Sequence, residues 1–151
     1  MNGRNLTRLG AIATVALAVA GCGQSNTSCP TETPRVDQVQ SCTVAPGATV
    51  GVRLNICPTC NQTAASCTAD LSQLGSSNTI ALDPITDSCE PANSCPSPSC
   101  AVNGVTCTFN APTTPGDYTM IVFDPASNGT RSATLTVASG PTSCAFTTAG
   151  L

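Results

Sequence analysis

The stretch "TVGVRLNI", residues 49–56, decides the fold. Val50, Val52, Leu54 and Ile56 fall on one side of an extended chain, and Gly51, Arg53 and Asn55 on the other. Side chains alternate between faces along a strand, so this period of two marks a strand with one buried face. The pair Pro46-Gly47 just ahead of it is turn chemistry, and it sets where the strand starts.

Outward from there the same period recurs. "GVTCTFN" (104–110) alternates Val105, Cys107 and Phe109, and "TRSATLTV" (130–137) alternates Ala133, Leu135 and Val137. "CTADL" (67–71) and "TIALD" (79–83) are shorter and are separated by "GSSN". "DYTMIVFD" (117–124) is apolar on both faces and reads as a central strand. A weaker first strand lies near "VQSCTV" (39–44). Together these predict an all-β fold, a seven-stranded sandwich with frequent turns. Composition agrees: Thr, Ser, Ala, Pro and Gly dominate, which disfavours helix because the hydroxyls compete for backbone groups and Gly and Pro interrupt the ladder.

"FNAPTTPGDYTMIVFD" (109–124) resembles the corner that leads into the sixth strand of immunoglobulin-like β-sandwich domains. In that family a tyrosine near the start of the strand folds its hydroxyl back onto upstream backbone. The resemblance gives this role to Tyr118, the one tyrosine of the chain. Two residues on, where antibody domains carry a cysteine, stands Met120, and there is no Trp for the core, so the likeness is not to antibody domains themselves.

Four aromatic residues (three Phe and one Tyr) make a modest core for 151 residues, so covalent constraint is expected. Eleven cysteines supply it and point to an oxidising compartment. The expected disulfide set is Cys29, Cys42, Cys57, Cys60, Cys67, Cys89, Cys95, Cys100, Cys107 and Cys144. Their connectivity is not readable from spacing.

The remaining cysteine, Cys22, ends a segment with three parts: a basic start with Arg4 and Arg8, an apolar run "LGAIATVALAVA", and small residues. This is an export leader, too short in its apolar part to span a bilayer, which takes about 20 residues. Two cleavage sites compete. "AVA" (18–20) would serve an ordinary signal peptidase and leave Cys22 as one more thiol. "VAGC" (19–22) resembles the lipobox of bacterial lipoprotein precursors, which implies removal of residues 1–21 and diacylglycerol on the Cys22 sulfur. Parity favours the second, since it leaves ten cysteines that can all pair. Gly23 in place of the Asp that commonly retains such proteins at the inner membrane implies the outer membrane, if the cell is Gram-negative.

Residues 22–40 are polar and Pro-containing and read as a flexible lipidated tether, pinned back by Cys29. Residues 41–138 form the expected sandwich, and 139–151 a tail pinned by Cys144. Between strands, "PITDSCEPANSCPSPSCAVN" (84–103) carries three cysteines, and three prolines in "EPANSCPSP" forbid regular structure there. This Cys-rich loop, about 84–104, is where a protein or glycan partner is expected, because loops of sandwich folds carry specificity.

Chemistry is sparse. No His excludes Ser-His and Cys-His pairs, and no Lys excludes Ser-Lys and Schiff-base schemes. Carboxylates at Asp70, Asp83, Asp87, Glu90, Asp117 and Asp124 lack the aromatic platforms of a glycosidase cleft. Asp83, Asp87 and Glu90 offer oxygen ligands to calcium but no recognised loop spacing. "CPTC" (57–60) is a redox candidate only if Cys57 begins a helix, which "NQTAASCTADLSQL" (61–74) could form; as zinc ligands the pair lacks a partner pair. No cofactor or metal is expected. Without the leader, three arginines face eight carboxylates, a net charge of −5 that repels nucleic acid. The expectation is a lipid-anchored, exported structural or adhesion-type binding module of the bacterial cell envelope without catalytic activity. The alternatives are an envelope thiol-disulfide protein using Cys57 and Cys60, or an inhibitor or sensor acting through the 84–104 loop.

Overall fold

The computed structural model describes residues 29–58, 62–88 and 104–146. They form nine strands: β1 (Thr31–Glu32), β2 (Arg35–Val44), β3 (Thr49–Cys57), β4 (Gln62–Asp70), β5 (Thr79–Ser88), β6 (Gly104–Asn110), β7 (Gly116–Asp124), β8 (Gly129–Val137) and β9 (Ser143–Phe146). One short helical turn, α1 (Leu74–Ser77), sits between β4 and β5. The seven segments expected from periodicity fall on β2 to β8, with Leu71 of "CTADL" just beyond its strand and β4 and β5 longer than their patterns. Among the described residues no helix is long and apolar enough to cross a membrane.

The strands make one curled sheet, a half-barrel, in the order β1-β5-β7-β8-β2-β3-β6, with β4 on the far edge of β5 and β9 on β2. β2 turns the corner. Its first half pairs antiparallel with β3, Val39 opposite Leu54, and its second half runs parallel to β8, Val44 opposite Val137. Two side chains stand in for backbone at the changeover. The Arg53 N–H donates to Gln40 Oε1 at 3.1 Å, and the Thr134 N–H donates to Ser41 Oγ at 3.2 Å. On the opposite side of the curl β4 and β6 are not paired by backbone. The Cys67–Cys107 disulfide joins them, with Cα atoms 4.7 Å apart.

β5 also changes partner. On its edge away from β4 it pairs with β7 over Thr79–Leu82 and with β1 at Thr86 and Asp87. Pro84 stands between the two stretches, and having no N–H it cannot serve a ladder there.

The core is aliphatic and mostly β-branched. Val50, Val52, Leu54 and Ile56 of β3 are all at most 1% exposed, and they share one core with Val36 on the neighbouring β2 and with Ile80, Met120 and Leu135 of β5, β7 and β8. Branching at Cβ fits these residues to a pleated surface, and their small volumes suit a barrel with few aromatic residues. Tyr118 and Phe109 are the two rings that join the core.

Four expectations need correction. Thr31, Glu32 and Arg35–Gln40 are paired strand, so the tether does not extend to residue 40. Pro84–Ser88 continue β5, so the Cys-rich connection is confined to the residues between Ser88 and Gly104. Gln62–Asp70 is strand where a helix was possible, because β5 offers a full antiparallel partner. Finally, β7 is central in hydrogen bonding but covered on one face only, which leaves Phe123 48% exposed.

Candidate functional site

The strands define two ends. Arg35, Cys57, Gln62, Ser88, Gly104 and the β7–β8 turn lie at one, which we call the Cys57 end. The β2–β3 turn, the α1 segment and the link from β6 to β7 lie at the other, the Tyr118 end.

At the Tyr118 end the chain leaves β6 at Asn110 and turns through Pro112 and Pro115 into β7. Gly116 makes the final step with φ of 149°, a conformation side chains rarely adopt. Tyr118 then donates its hydroxyl to the Thr114 carbonyl at 2.8 Å. The ring and this corner form one wall of an open groove of about 500 Å³, whose other walls are Leu71, Leu74, Asn78, Asn110 and Pro112. Its floor is apolar and its rim carries two amides, a surface for an apolar group with a polar margin. The groove was not foreseen from sequence. Its one signal was the pair Leu71 and Leu74, apolar residues in a stretch otherwise rich in turn formers.

A second, smaller groove of about 250 Å³ runs between β2, β8 and β9. Ser41, Thr43, Thr134, Thr136 and Ser143 line it with hydroxyls above the Cys42–Cys144 disulfide.

At the Cys57 end, Asp124 is a fully buried carboxylate. Its Oδ2 accepts from Ser127 Oγ at 2.8 Å and lies 3.2 Å from the Arg131 guanidinium, and its Oδ1 accepts from the Ala126 N–H at 3.2 Å. Burial pushes this carboxyl up. The Ser127 hydroxyl, the N–H groups of Ala126 and Val36 and the Arg131 charge outweigh it, leaving the group below its ordinary value. The network locks the β7–β8 turn onto β2. Asp70 is also held below its usual range, by the backbone N–H and hydroxyl of Ser72.

The other expected residues scatter. Asp117 accepts from Thr136 Oγ1 at 2.7 Å, Asp83 is exposed on β5, and Asp87 pairs opposite Thr31. Among the described residues no three acidic or sulfur side chains converge on a metal position. Cys42 bonds Cys144 and Cys67 bonds Cys107, while Cys29 and Cys57 are disulfide-bonded too. Cys57 ends β3 and is 2% exposed. Cys22, Cys60, Cys89, Glu90, Cys95 and Cys100 lie outside the described residues.

No family model, no curated protein and no solved structure matches the chain.

Proposed function

We propose that this chain is an exported lipoprotein of the bacterial cell envelope, with residues 1–21 a cleaved leader and Cys22 the acylated residue. The disulfide-rich β-domain then serves at the membrane surface as a non-catalytic structural or adhesion-type binding module. In a Gram-negative cell Gly23 directs it to the outer membrane. The observation that carries the reading is sulfur usage. All six described cysteines are in disulfides, which needs an oxidising compartment, and the leader ends in "VAGC" at the position where the remaining cysteine would be lipidated. Two or three acyl chains give durable anchoring where one is marginal.

The half-barrel is read here as a variant of the immunoglobulin-like sandwich. Support comes from the Tyr118 corner and from β2, which serves both halves of the curl. The parallel pairing of β5 with β7 is its departure from a meander of hairpins. A protein or glycan partner would engage the Cys-rich sequence between Ser88 and Gly104, and the groove beside Tyr118 offers a second surface.

Intact mass of the protein from native membranes, with and without alkylation after unfolding, tests the reading. Acyl mass on the Cys22 peptide and no alkylatable thiol are expected. An unmodified Cys22, or thiols that alkylate without prior reduction, overturns it. Cys22→Ser should move the protein from the detergent phase to the aqueous phase.

A further inference from the structure

Lipid at Cys22 would constrain how the domain sits, because the structure fixes where the chain joins the sheet. The Ser88 N–H donates to the Pro30 carbonyl at 2.9 Å, and Thr31 pairs with Asp87. The chain therefore enters at the Cys57 end. From Cys22 to Pro30 is eight residues, a reach of at most about 28 Å when fully extended. The strands themselves rise about 30 Å from the Cys57 end to the Tyr118 end.

The same end carries an unexplained ring. Phe123 is the only large hydrophobic residue exposed among those described. A single exposed apolar side chain is ordinary on a soluble protein. Its placement is what matters. Phe123 is the penultimate residue of β7, and β7 and β1 occupy the same edge of β5, with Val122 opposite Leu82 and Thr31 opposite Asp87. Five residues of strand separate these positions, about 17 Å. On the β8 side Thr130 lies opposite the ring, and Asp124 is buried and paired with Arg131; on the β5 side the exposed Asp83 follows Leu82 and is the charge beside the ring.

We propose that the β7–β8 hairpin is the membrane-facing surface of the domain, with the Phe123 ring seated at the boundary between lipid headgroups and acyl chains. The inference rests on the anchoring of Cys22. One ring would not hold a free protein of net charge −5 at a bilayer, and Asp83 beside the ring, with Glu32 and Asp87 at the same end, opposes anionic lipid. A tether of eight residues changes this, because it keeps the effective concentration of the surface high without any further contact. Phe is among the side chains that interfacially bound surfaces bury at this depth. With the hairpin down, the groove beside Tyr118 points away from the membrane. The groove is then the surface open to a partner from outside.

The chain has no Trp, so a single introduced indole reports its own position. Acylated full-length Phe123→Trp and Thr113→Trp proteins, the second substitution being exposed at the Tyr118 end, are reconstituted into phosphatidylethanolamine–phosphatidylglycerol vesicles with and without bromine on the acyl chains. Phe123→Trp should shift its emission to the blue and lose intensity in brominated vesicles, while Thr113→Trp should do neither. Phe123→Tyr, which leaves the core untouched, should keep the wild-type protection of the hairpin from added protease on vesicles, and Phe123→Asp should lose it. Equal quenching of both indoles, or of neither, in protein whose mass shows acylation overturns the docking and leaves the anchoring intact. A mass without acyl chains overturns the anchoring, and the docking with it.

Discussion

The hydroxyl of Tyr118 reaches back four residues to the carbonyl of Thr114 at 2.8 Å, closing the corner between β6 and β7. The ring is buried and its oxygen has this one partner to satisfy it in the fold. Tyr118→Phe keeps the ring and deletes the bond, so it should lower unfolding free energy by about 0.5–1.5 kcal/mol in urea titration, with the far-ultraviolet dichroism unchanged. No loss would mean that water serves the Thr114 carbonyl equally well.

Gly116 makes the step into that corner at a φ of 149°. No atom lies within 4 Å of where its Cβ would be, so a methyl there meets no neighbour. The cost of Gly116→Ala is therefore conformational alone, about 1–3 kcal/mol. Thermal unfolding of the variant beside Thr113→Ala separates this cost from the effect of any substitution in the loop.

Asp124 lends the fold a dependence on acid. Its folded pKa lies below the unfolded value of about 3.9, so its contribution is complete above that value and is lost as pH falls through the lower folded one. Wild-type stability should drop across that acidic range, and Asp124→Asn should be less stable near neutrality but flatter with acid. Equal acid slopes in the two proteins would show that other carboxylates govern the transition.

The seam between β4 and β6 depends on Cys67–Cys107, since backbone pairing does not join them. Loss of this bridge in a Cys67→Ala, Cys107→Ala double variant should cost about 4 kcal/mol for a closure spanning 40 positions, by the chain-entropy account. Hydrogen exchange should show the loss first in β6, whose other edge alone is paired. Uniform loss across all strands would mean that the curl opens as one unit.

Period two made the inner faces of β3, β6 and β8 legible, because burial on one side is what selects alternation. Val50, Leu54, Phe109 and Leu135 all point where the pattern placed them. The order of strands was not legible. β5 parallel to β7, and β2 shared between β3 and β8, are settled by pairing between residues far apart in the chain, and no local signal carries that. The tether was overextended for a related reason: "RVDQV" is polar and hides a strand whose Val36 and Val39 are buried at a bulge that breaks the alternation. At the corner, one tyrosine after Pro-Gly-Asp was sufficient to place a hydrogen bond. The groove beside it was not, because its walls come from Leu71, Leu74 and Pro112, on separate loops.

The parallel alignment of β2 with β8 has a mechanical consequence. A pull between Pro30 at the Cys57 end and the Tyr118 end of the domain would run along the strands, so the ladders would be sheared as a group and not unzipped one rung at a time. The bond between Cys42 and Cys144 short-circuits 102 positions of chain. Under a pull on the two chain ends that flank the bridge, that length of polypeptide cannot be drawn out until sulfur itself gives way.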